Sequence, residues 1–255
     1  MNRNRVDLVK SWKEEERFPF KGWDFSHLEG RIRTEDPPWD YLLLAGERMK
    51  SAQAVLDIAT GGGEKLLELR KFWPEKVAAT EEYRPNLRLS RERLELFGVE
   101  VLEAESSRIS KLPFPDGEFD LILNRHGAFS SDEVARILRP GGVFLTQQVH
   151  GLHWDDLQAA FGVAPQWPDN TLDYYASALT TAGLRIVHGE DWSGHQEFLD
   201  VGAIVFTLMA APWTVPGFSV DSHLETLCDL QTQQDEGGAL VFHAANFLIE
   251  AKKSV

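Results

Sequence analysis

The stretch VLDIATGGGEK, from Val55 to Lys65, constrains the fold of this chain more than any other part of the sequence. An apolar run, AVLDIA, ends in three consecutive glycines, and helix-forming residues follow at once. An apolar run of this length that is bounded by a glycine turn is typical of a buried parallel strand. Glycine lets a ligand approach the backbone, and the start of a helix offers free N–H groups to it. The stretch therefore predicts a ligand site where the strand ends.

Strand and helix patterns alternate from this point to about residue 150. Apolar runs at 76–80, 99–104, 119–124 and 141–149 predict strands, and the intervening segments predict helices. The helices are placed at 64–73, from Pro85 to the residue before Gly98, and from a Ser130 cap to Leu138. Strands that alternate with helices indicate an α/β fold with a parallel, doubly wound sheet.

The flanking segments are less regular. Residues 1–45 are mixed and rich in aromatic side chains. Beyond residue 150 the patterns predict a helix at 171–182, a strand at 184–189 and a helical insertion at about 200–235. That insertion is interpreted as two helices, one capped by Asp200 and one beginning near Ser219. The run at 201–211 is apolar throughout, so its periodicity does not separate a helix from a strand.

The spacing of the glycines excludes two common nucleotide sites. A dinucleotide fold uses G-x-G-x-x-G, whereas the matching positions here are Ala59, Gly61 and Glu64. A phosphate-binding Walker loop ends in G-K-[ST], which is absent from this turn. A nicotinamide-dependent reductase is therefore not expected.

Composition predicts a globular protein of the cytoplasm. Of the 255 residues, 43% are hydrophobic, which is enough for a core. A single cysteine, Cys228, excludes an internal disulfide and a cysteine-rich zinc site. The N-terminal residues lack the apolar run of a secretory signal, and the apolar stretch 201–213 is too short to span a membrane.

The acidic residues are concentrated in the C-terminal half. Between Arg139 and Lys252 there are fourteen acidic residues and one basic residue, Arg185, so this stretch carries a net charge of −13. A nucleic-acid surface needs cations that displace phosphate counterions, and this half cannot supply them. The charge indicates a solvated acidic surface, or a pocket mouth that favours neutral or cationic substrates.

Three motifs in order resemble a known family. Asp57, Ala59, Gly61 and Gly63 occupy the places of an acidic residue followed by G-x-G-x-G, with alanine in place of the first glycine. The run LPFPDGEFDLILN follows, and then LRPGG. Together they resemble the class I methyltransferases, in particular the methyltransferase type 11 domain of ubiquinone- and menaquinone-biosynthesis methyltransferases and some ribosomal-RNA guanine methyltransferases. The resemblance covers about residues 50–150, and the flanks resemble a separate bacterial branch.

The resemblance implies a fold and a cofactor. The fold is a Rossmann-like, seven-stranded sheet that is mostly parallel, with an antiparallel final strand, here NFLIEAK. The implied domains are an N-terminal cofactor-covering segment, 1–45, and a methyltransferase domain, 46–255. The implied cofactor is S-adenosylmethionine, with S-adenosylhomocysteine as product. The candidate cofactor-binding residues all follow strand ends: Asp57, Ala59, Thr60, Gly61, Gly63, Glu81, Glu82, Tyr83, Glu105, Ser106 and Asn124.

More than one residue is a candidate for the ribose contact and for the adenine contact. An acidic residue about 20 positions after the glycines can accept both ribose hydroxyls, and Glu81 fits this place better than Glu82. The family also places an acidic residue before the L-P-F run to hold the adenine amine. Arg108 stands there instead, and Glu105 and Ser106 are the nearest polar alternatives.

The methyl acceptor is expected next to the residues that follow the fourth strand. His126 is a candidate general base and Asn124 a second candidate catalytic residue, because in-line methyl transfer mainly needs alignment and a base only for a protonated acceptor. An ordinary hydrogen-bonding role for His126 is the alternative. Candidate substrate contacts are Trp23, Arg125, Gln148 and His150. No metal is predicted, since His150 and His153 are ordinary loop residues in this interpretation.

The sequence leaves three functions open. The first is methyl transfer to a small molecule by a monomer or a homodimer. The second is an RNA methyltransferase acting on ribosomal or transfer RNA, which the C-terminal charge disfavours. The third is a catalytically silent regulatory protein that binds S-adenosylmethionine. Neither nucleic acid nor a membrane is an expected partner.

Overall fold

A computed structural model describes residues 5–254, so the first four residues of the predicted N-terminal segment and the last residue of the chain lie outside it. The helices within this range are α1 (Arg5–Glu16), α2 (Tyr41–Met49), α3 (Glu64–Glu68), α4 (Arg84–Leu94), α5 (Ser131–Ile137), α6 (Asp155–Ala160), α7 (Leu172–Thr181), α8 (Val201–Ala210) and α9 (Leu224–Asp235). The strands are β1 (Ile32–Thr34), β2 (Ala54–Ile58), β3 (Lys76–Glu81), β4 (Glu100–Glu103), β5 (Phe119–Arg125), β6 (Leu138–Val149), β7 (Leu184–Phe198) and β8 (Leu240–Lys253).

The described residues form one eight-stranded sheet in the order β1-β7-β8-β6-β5-β2-β3-β4. Strands β2 to β6 are parallel to one another, whereas β8 is antiparallel to both β6 and β7. The α/β, Rossmann-like fold with an antiparallel final strand is therefore confirmed. The predicted count of seven strands is short by one, because the three-residue β1 pairs antiparallel with the outer edge of β7.

The sheet positions the ligand site through its strand order. The chain crosses from β4, at one edge, back to β5 beside β2, so the winding direction reverses between β2 and β5. Ligands of open α/β sheets bind outside the carboxyl ends of the strands at such a reversal. The glycine turn follows β2 and the NRH segment, Asn124–His126, ends β5, so both lie at this place.

The C-terminal elements are longer than predicted. Strands β7 and β8 pair over almost their full lengths, from Leu184 opposite Lys253 to Phe198 opposite Leu240. The ambiguous run at 201–211 is the helix α8, and nine of its ten residues are buried. A helix that is buried on all sides shows no polar face, which explains the missing periodicity. The Asp200 side chain caps it, as predicted, by accepting a hydrogen bond from the Ala203 N–H at 2.8 Å. The second helix of the insertion, α9, begins at Leu224 and not near Ser219.

The N-terminal segment packs against this insertion. Trp12 of α1 is 2% exposed and belongs to the same apolar cluster as most of α8. Arg31 joins the two parts, since its guanidinium donates to both oxygens of Asp200 at 2.6 and 2.9 Å. Residues 5–45 are therefore part of the folded body. No helix among residues 5–254 is both long enough and apolar enough to cross a bilayer.

The contact between α1 and α8 leads to a stability prediction. Trp12→Ala leaves a cavity in a closed apolar cluster and should lower the free energy of unfolding by about 3–5 kcal/mol. Urea unfolding followed by circular dichroism measures this. The matched control is Trp167→Ala, because Trp167 is 50% exposed, and it should cost about 1 kcal/mol or less. Equal losses for the two variants would show that α1 does not contribute to the core.

Candidate active site

The turn after β2 is built from residues with left-handed backbone angles. Ala59, Gly61 and Gly63 have φ angles of 57°, 64° and 80°. Glycine adopts this region without strain, whereas alanine adopts it at a cost. The Ala59 methyl group packs where a side chain on Gly127 would stand, since a Cβ on Gly127 would lie 2.5 Å from that methyl. Gly127 therefore accommodates the departure from glycine at position 59.

Glu81 holds this turn to the neighbouring strand. It is the last residue of β3, and its carboxylate accepts hydrogen bonds from the Gly61 N–H at 2.7 Å and from the Tyr83 N–H at 2.8 Å. The side chain is 5% exposed, and burial raises the pKa of Glu81. A carboxylate has about four lone-pair positions, so each oxygen can still accept a hydroxyl from a ligand.

Two buried hydroxyl groups that follow strand ends are not fully satisfied. The side-chain oxygens of Thr60 and Ser106 have no hydrogen bond within 3.5 Å to any described residue, although the Thr60 hydroxyl is close enough to the Asp57 carboxyl to act on its pKa. Buried polar groups are normally paired, so an unpaired one needs an explanation such as a ligand. Open hydroxyls at the ends of two strands, next to a buried carboxylate and a glycine turn, fit a polar nucleoside such as that of S-adenosylmethionine.

Trp23 lies over the glycine turn. A Cβ on Gly61 would come within 2.6 Å of its indole ring, so the ring and the backbone are in close contact. Phe25 stacks on the same indole at 6.0 Å, and Trp213, which follows α8, meets it edge-on at 6.0 Å. The N-terminal segment and the insertion thus meet above the turn, and Trp23 is 45% exposed there.

Three ionisable side chains lie at the ends of β2 and β5, at the crevice that the reversal of the strand order creates, which is called the cleft below. Asp57 and Arg125 are partly buried, whereas His126 is exposed to solvent although protein atoms surround it. Burial raises the pKa of Asp57 to about 7, and the nearby charge of Glu81 adds to the rise. Burial also lowers the pKa of Arg125 and the pKa of His126, and the Arg125 charge acts further on His126. In all three the protein disfavours the charged form.

A chain of hydrogen bonds orients His126. The Trp39 indole N–H donates to Gln147 Oε1 at 2.8 Å, and Gln147 Nε2 lies 2.8 Å from His126 Nε2. His126 has a φ of 59°, and its backbone N–H donates to the Gln147 carbonyl at 2.8 Å. Neither Gln147 nor Trp39 is among the candidate site residues of the sequence analysis, and Gln148, which is, lies on the opposite face of β6.

Asn124 differs from its predicted role. The side chain is completely buried, and its Nδ2 donates to the Ile58 carbonyl at 3.0 Å. Its Oδ1 accepts hydrogen bonds from Thr146 and Gln148. Asn124 therefore fastens β2, β5 and β6 together beneath the cleft, and its polar atoms are not directed at a ligand. Gln148 belongs to the same buried network and does not line the cleft.

The remaining candidates are distributed around the site. Glu82 accepts a hydrogen bond from the Ser106 N–H at 3.1 Å, and Tyr83 is 61% exposed beside Glu81. Glu105 is exposed and follows β4. His150 is not joined to the His126 chain, and its Nδ1 accepts from the Leu152 N–H at 3.1 Å.

The arginine that departs from the family pattern has a structural partner. Arg108 donates to Asp169 at 2.7 Å and lies 4.2 Å from the ring centre of Tyr174. It therefore ties the loop after β4 to the start of α7. The adenine contact that the family assigns to an acidic residue at this place is absent.

The strand order, the glycine turn and the carboxylate at the end of the next strand define the class I, Rossmann-like methyltransferase fold. Residues 56–146 match the family described as a methyltransferase domain. This match confirms the predicted resemblance over residues 56–146 and, with it, the predicted cofactor, S-adenosylmethionine.

Two similar proteins are small-molecule methyltransferases by name. The fatty-acid O-methyltransferase of Mycolicibacterium smegmatis is 32% identical over 169 residues, which are 63% of this chain and 56% of that protein. The demethylmenaquinone methyltransferase of Thermus thermophilus is 36% identical over 101 residues, which are 36% of this chain and 46% of that protein. The chain thus spans about half the length of these relatives.

Solved structures share the fold at low sequence identity. A Bacillus halodurans protein matches with a TM-score of 0.60 and 19% identity, over 84% of this chain and 97% of its own. The [4+2]-cyclase SpnF matches with a TM-score of 0.54 and 15% identity, over 98% of this chain and 94% of its own. Because a cyclase has this fold, the fold alone does not define the reaction.

The raised pKa of Asp57 predicts a pH-dependent stability. Its carboxyl binds a proton in the folded protein up to about pH 7 but ionises near 3.8 in the unfolded chain. The folded state therefore gains stability from this group at low pH and loses it as the pH rises through 7. Asp57→Asn should be more stable than the parent above pH 7, by about 2–4 kcal/mol, with the difference vanishing near pH 4.

Urea unfolding at intervals between about pH 4 and pH 8 measures this difference. Asp229→Asn is the control, because Asp229 is exposed on α9. A stability difference for Asp57→Asn that stays constant over the pH range would contradict the raised pKa.

Proposed function

We propose that this chain is an S-adenosylmethionine-dependent methyltransferase that acts on a small-molecule acceptor. The observation that carries the proposal is the pairing of the glycine turn with Glu81, where a buried carboxylate meets a backbone N–H at 2.7 Å between two strand ends. That pairing places a hydroxyl-binding group directly beside a backbone that a ligand can approach.

The residues around this pairing would hold different parts of the donor. Glu81 would accept the ribose hydroxyls, and the unpaired hydroxyls of Thr60 and Ser106 would gain partners. Asp57 would balance the positive charge of the methionine part. The donor supplies a methyl group on a positively charged sulfur, which the acceptor displaces in line to leave S-adenosylhomocysteine. Alignment of the two reactants supplies most of the acceleration that such a site can provide.

The N-terminal segment is proposed to cover this site. Trp23 already lies against Gly61, and it meets Trp213 from the insertion at 6.0 Å. An aromatic face at this place can stabilise a cation and exclude water. The segment 1–45 and the insertion at about 200–235 would thus close over the donor from two sides.

A small molecule is a better acceptor than RNA on the charges of this chain. The stretch from 140 to 251 has one basic residue and fourteen acidic ones, whereas RNA binding needs a basic surface. The two similar proteins are named for small-molecule acceptors, a demethylmenaquinone and a fatty acid. A silent binding protein is a weaker proposal, because the cleft beside the turn keeps three ionisable side chains. We place the protein in the cytoplasm, as a monomer or a homodimer.

The proposal predicts a selective loss of cofactor binding. Glu81→Ala should weaken the binding of S-adenosylhomocysteine about 30-fold or more, because it removes both the sugar contact and the brace of the turn. Glu82→Ala, one residue away, should change the affinity about threefold or less, because that carboxylate is exposed. Isothermal titration calorimetry measures both.

The parent protein should bind S-adenosylhomocysteine and not NADH. Thermal unfolding of each variant without ligand shows whether the protein is folded before the titration. A folded parent protein that binds neither S-adenosylmethionine nor S-adenosylhomocysteine would overturn the proposed function.

A further inference from the structure

Arg125, the last residue of β5, has no partner among residues 5–254. It forms neither a hydrogen bond nor an ion pair with any described residue, although it is partly buried. The carboxylates of Asp57 and Glu68 act on it only from beyond ion-pair distance. Three other partly buried arginines are paired: Arg31 with Asp200, Arg108 with Asp169, and Arg136 with Glu133. An unpaired buried cation is costly, which indicates that an anion completes the site.

The hydrogen-bond chain from Trp39 determines which nitrogen of His126 carries the proton. An indole N–H can only donate, so the Gln147 oxygen must accept from Trp39 and the Gln147 amide nitrogen must donate onward. His126 Nε2, which lies 2.8 Å from that nitrogen, is then the acceptor. Because Nε2 accepts this hydrogen bond it carries no proton, so the ring is neutral and its one proton is on Nδ1.

This tautomer favours the hydrogen-bonding role of His126 over the role of general base, the two alternatives that the sequence left open. The lone pair on Nε2 is occupied by Gln147, and the other nitrogen carries a proton. The side chain can therefore donate a hydrogen bond to an acceptor molecule but cannot take a proton from it. The natural partner of such a donor is an oxygen that has already lost its proton.

Arg125 and His126 lie on the same side of the sheet. Arg125 is in register with Gln147 on the adjacent parallel strand, and residues in register direct their side chains to the same face. The His126 ring reaches Gln147 on that face because its φ of 59° turns the chain. A guanidinium and an N–H donor are thus adjacent at the carboxyl end of β5, in a chain with a net charge of −14.

We propose that the methyl acceptor is an organic carboxylate, held by the Arg125 guanidinium and by the Nδ1–H of His126. This inference rests on the proposed function, and it names the acceptor class of the same site. A carboxylic acid is ionised at neutral pH, so its methylation needs no base. The planar fork of arginine matches the two oxygens of a carboxylate.

The reaction balances without a proton transfer. One carboxylate oxygen forms a bond to the methyl carbon, and the bond between that carbon and the sulfur breaks with its electrons left on the sulfur. The negative carboxylate becomes a neutral ester, and the positive sulfonium becomes a neutral thioether. Neither an oxidant nor a reductant is needed.

The first test identifies the chemical class of the product without knowing the acceptor. The parent protein is incubated with S-adenosylmethionine that carries a tritiated methyl group and with a panel of aliphatic and aromatic monocarboxylic acids. Label in a methyl ester is released as volatile methanol by mild alkali, whereas label on carbon, nitrogen or a phenol oxygen is not. Release by alkali is expected. Stable label would overturn the inference and leave the proposed function intact.

The second test measures anion binding by the site directly. It tests the inference even if the panel lacks the natural acceptor. Acetate should bind saturably to the protein loaded with S-adenosylhomocysteine, and acetamide at equal ionic strength should not. Arg125→Gln should weaken acetate binding about 30-fold or more. Arg185→Gln is the matched control for charge, because Arg185 is exposed on β7. Absence of acetate binding, or equal binding by Arg125→Gln, would overturn the inference. Loss of S-adenosylhomocysteine binding by the parent protein would instead reject the proposed function.

Two further measurements separate recognition from a structural role. Removing an unpaired buried cation should raise the Tm of the ligand-free protein, so Arg125→Gln should gain about 2 °C or more. A fall in Tm would indicate that Arg125 supports the fold. Nitrogen NMR of the His126 ring at neutral pH should show the proton on Nδ1, and a proton on Nε2 would remove the donor from the proposal.

Discussion

The hydrogen bond from the Gly61 N–H to Glu81 is the interaction on which the rest of the site depends. It joins the end of β3 to the turn that follows β2, at the place where the sheet reverses its winding. A hydrogen bond to a carboxylate contributes about 1.5–3 kcal/mol, and here it also offsets the cost of burying that carboxylate. The same carboxylate accepts from the Tyr83 N–H, so the path of the chain into α4 is set by the same group. A ligand at the turn therefore meets a carboxylate whose position is already fixed.

The central part of the fold could be predicted because its signals are local. Most of the parallel strands from β2 to β6 contain an apolar run that ends at a turn or near a helix, so the hydrophobic pattern and the turn residues are enough to find them. The Ser130 side chain, for example, caps α5 by accepting a hydrogen bond from the Glu133 N–H at 3.4 Å, although the Glu133 carboxylate accepts from the Leu112 N–H and from Arg136. The glycine turn and Glu81 could be predicted for the same reason, since a fixed spacing along the chain links them. The flanking elements could not be predicted in this way. Strand β1 is three residues long, and it forms only because it pairs with the exposed edge of β7.

The parts of the site that were missed depend on which side of a strand each residue occupies. Alternation separates Gln147 from Gln148, but a sequence alone does not state which face is covered by the body of the protein. In the structure Asn124, Thr146 and Gln148 share one face and satisfy one another, whereas Gln147 meets His126 and Trp39 on the other. The left-handed conformation of His126 adds a second obstacle, because a histidine gives no signal of a positive φ. Asn124 was therefore expected in the cleft, and it lies beneath it.

The cleft keeps opposite charges in an uncompensated state. Asp57 and Arg125 approach each other closely enough to interact, and yet they form no ion pair within 4.0 Å, and burial disfavours the charged form of each. A protein selected for stability alone would bring the two side chains together or replace them with apolar ones. Two bound molecules of opposite charge remove both costs at once, since a cation would restore the ionised form of Asp57 and an anion would pair with Arg125. Methyl transfer from a sulfonium to a carboxylate brings such a pair of molecules together and releases two products without that charge. The uncompensated charges of Asp57 and Arg125 would then favour binding of the reactants over retention of the products.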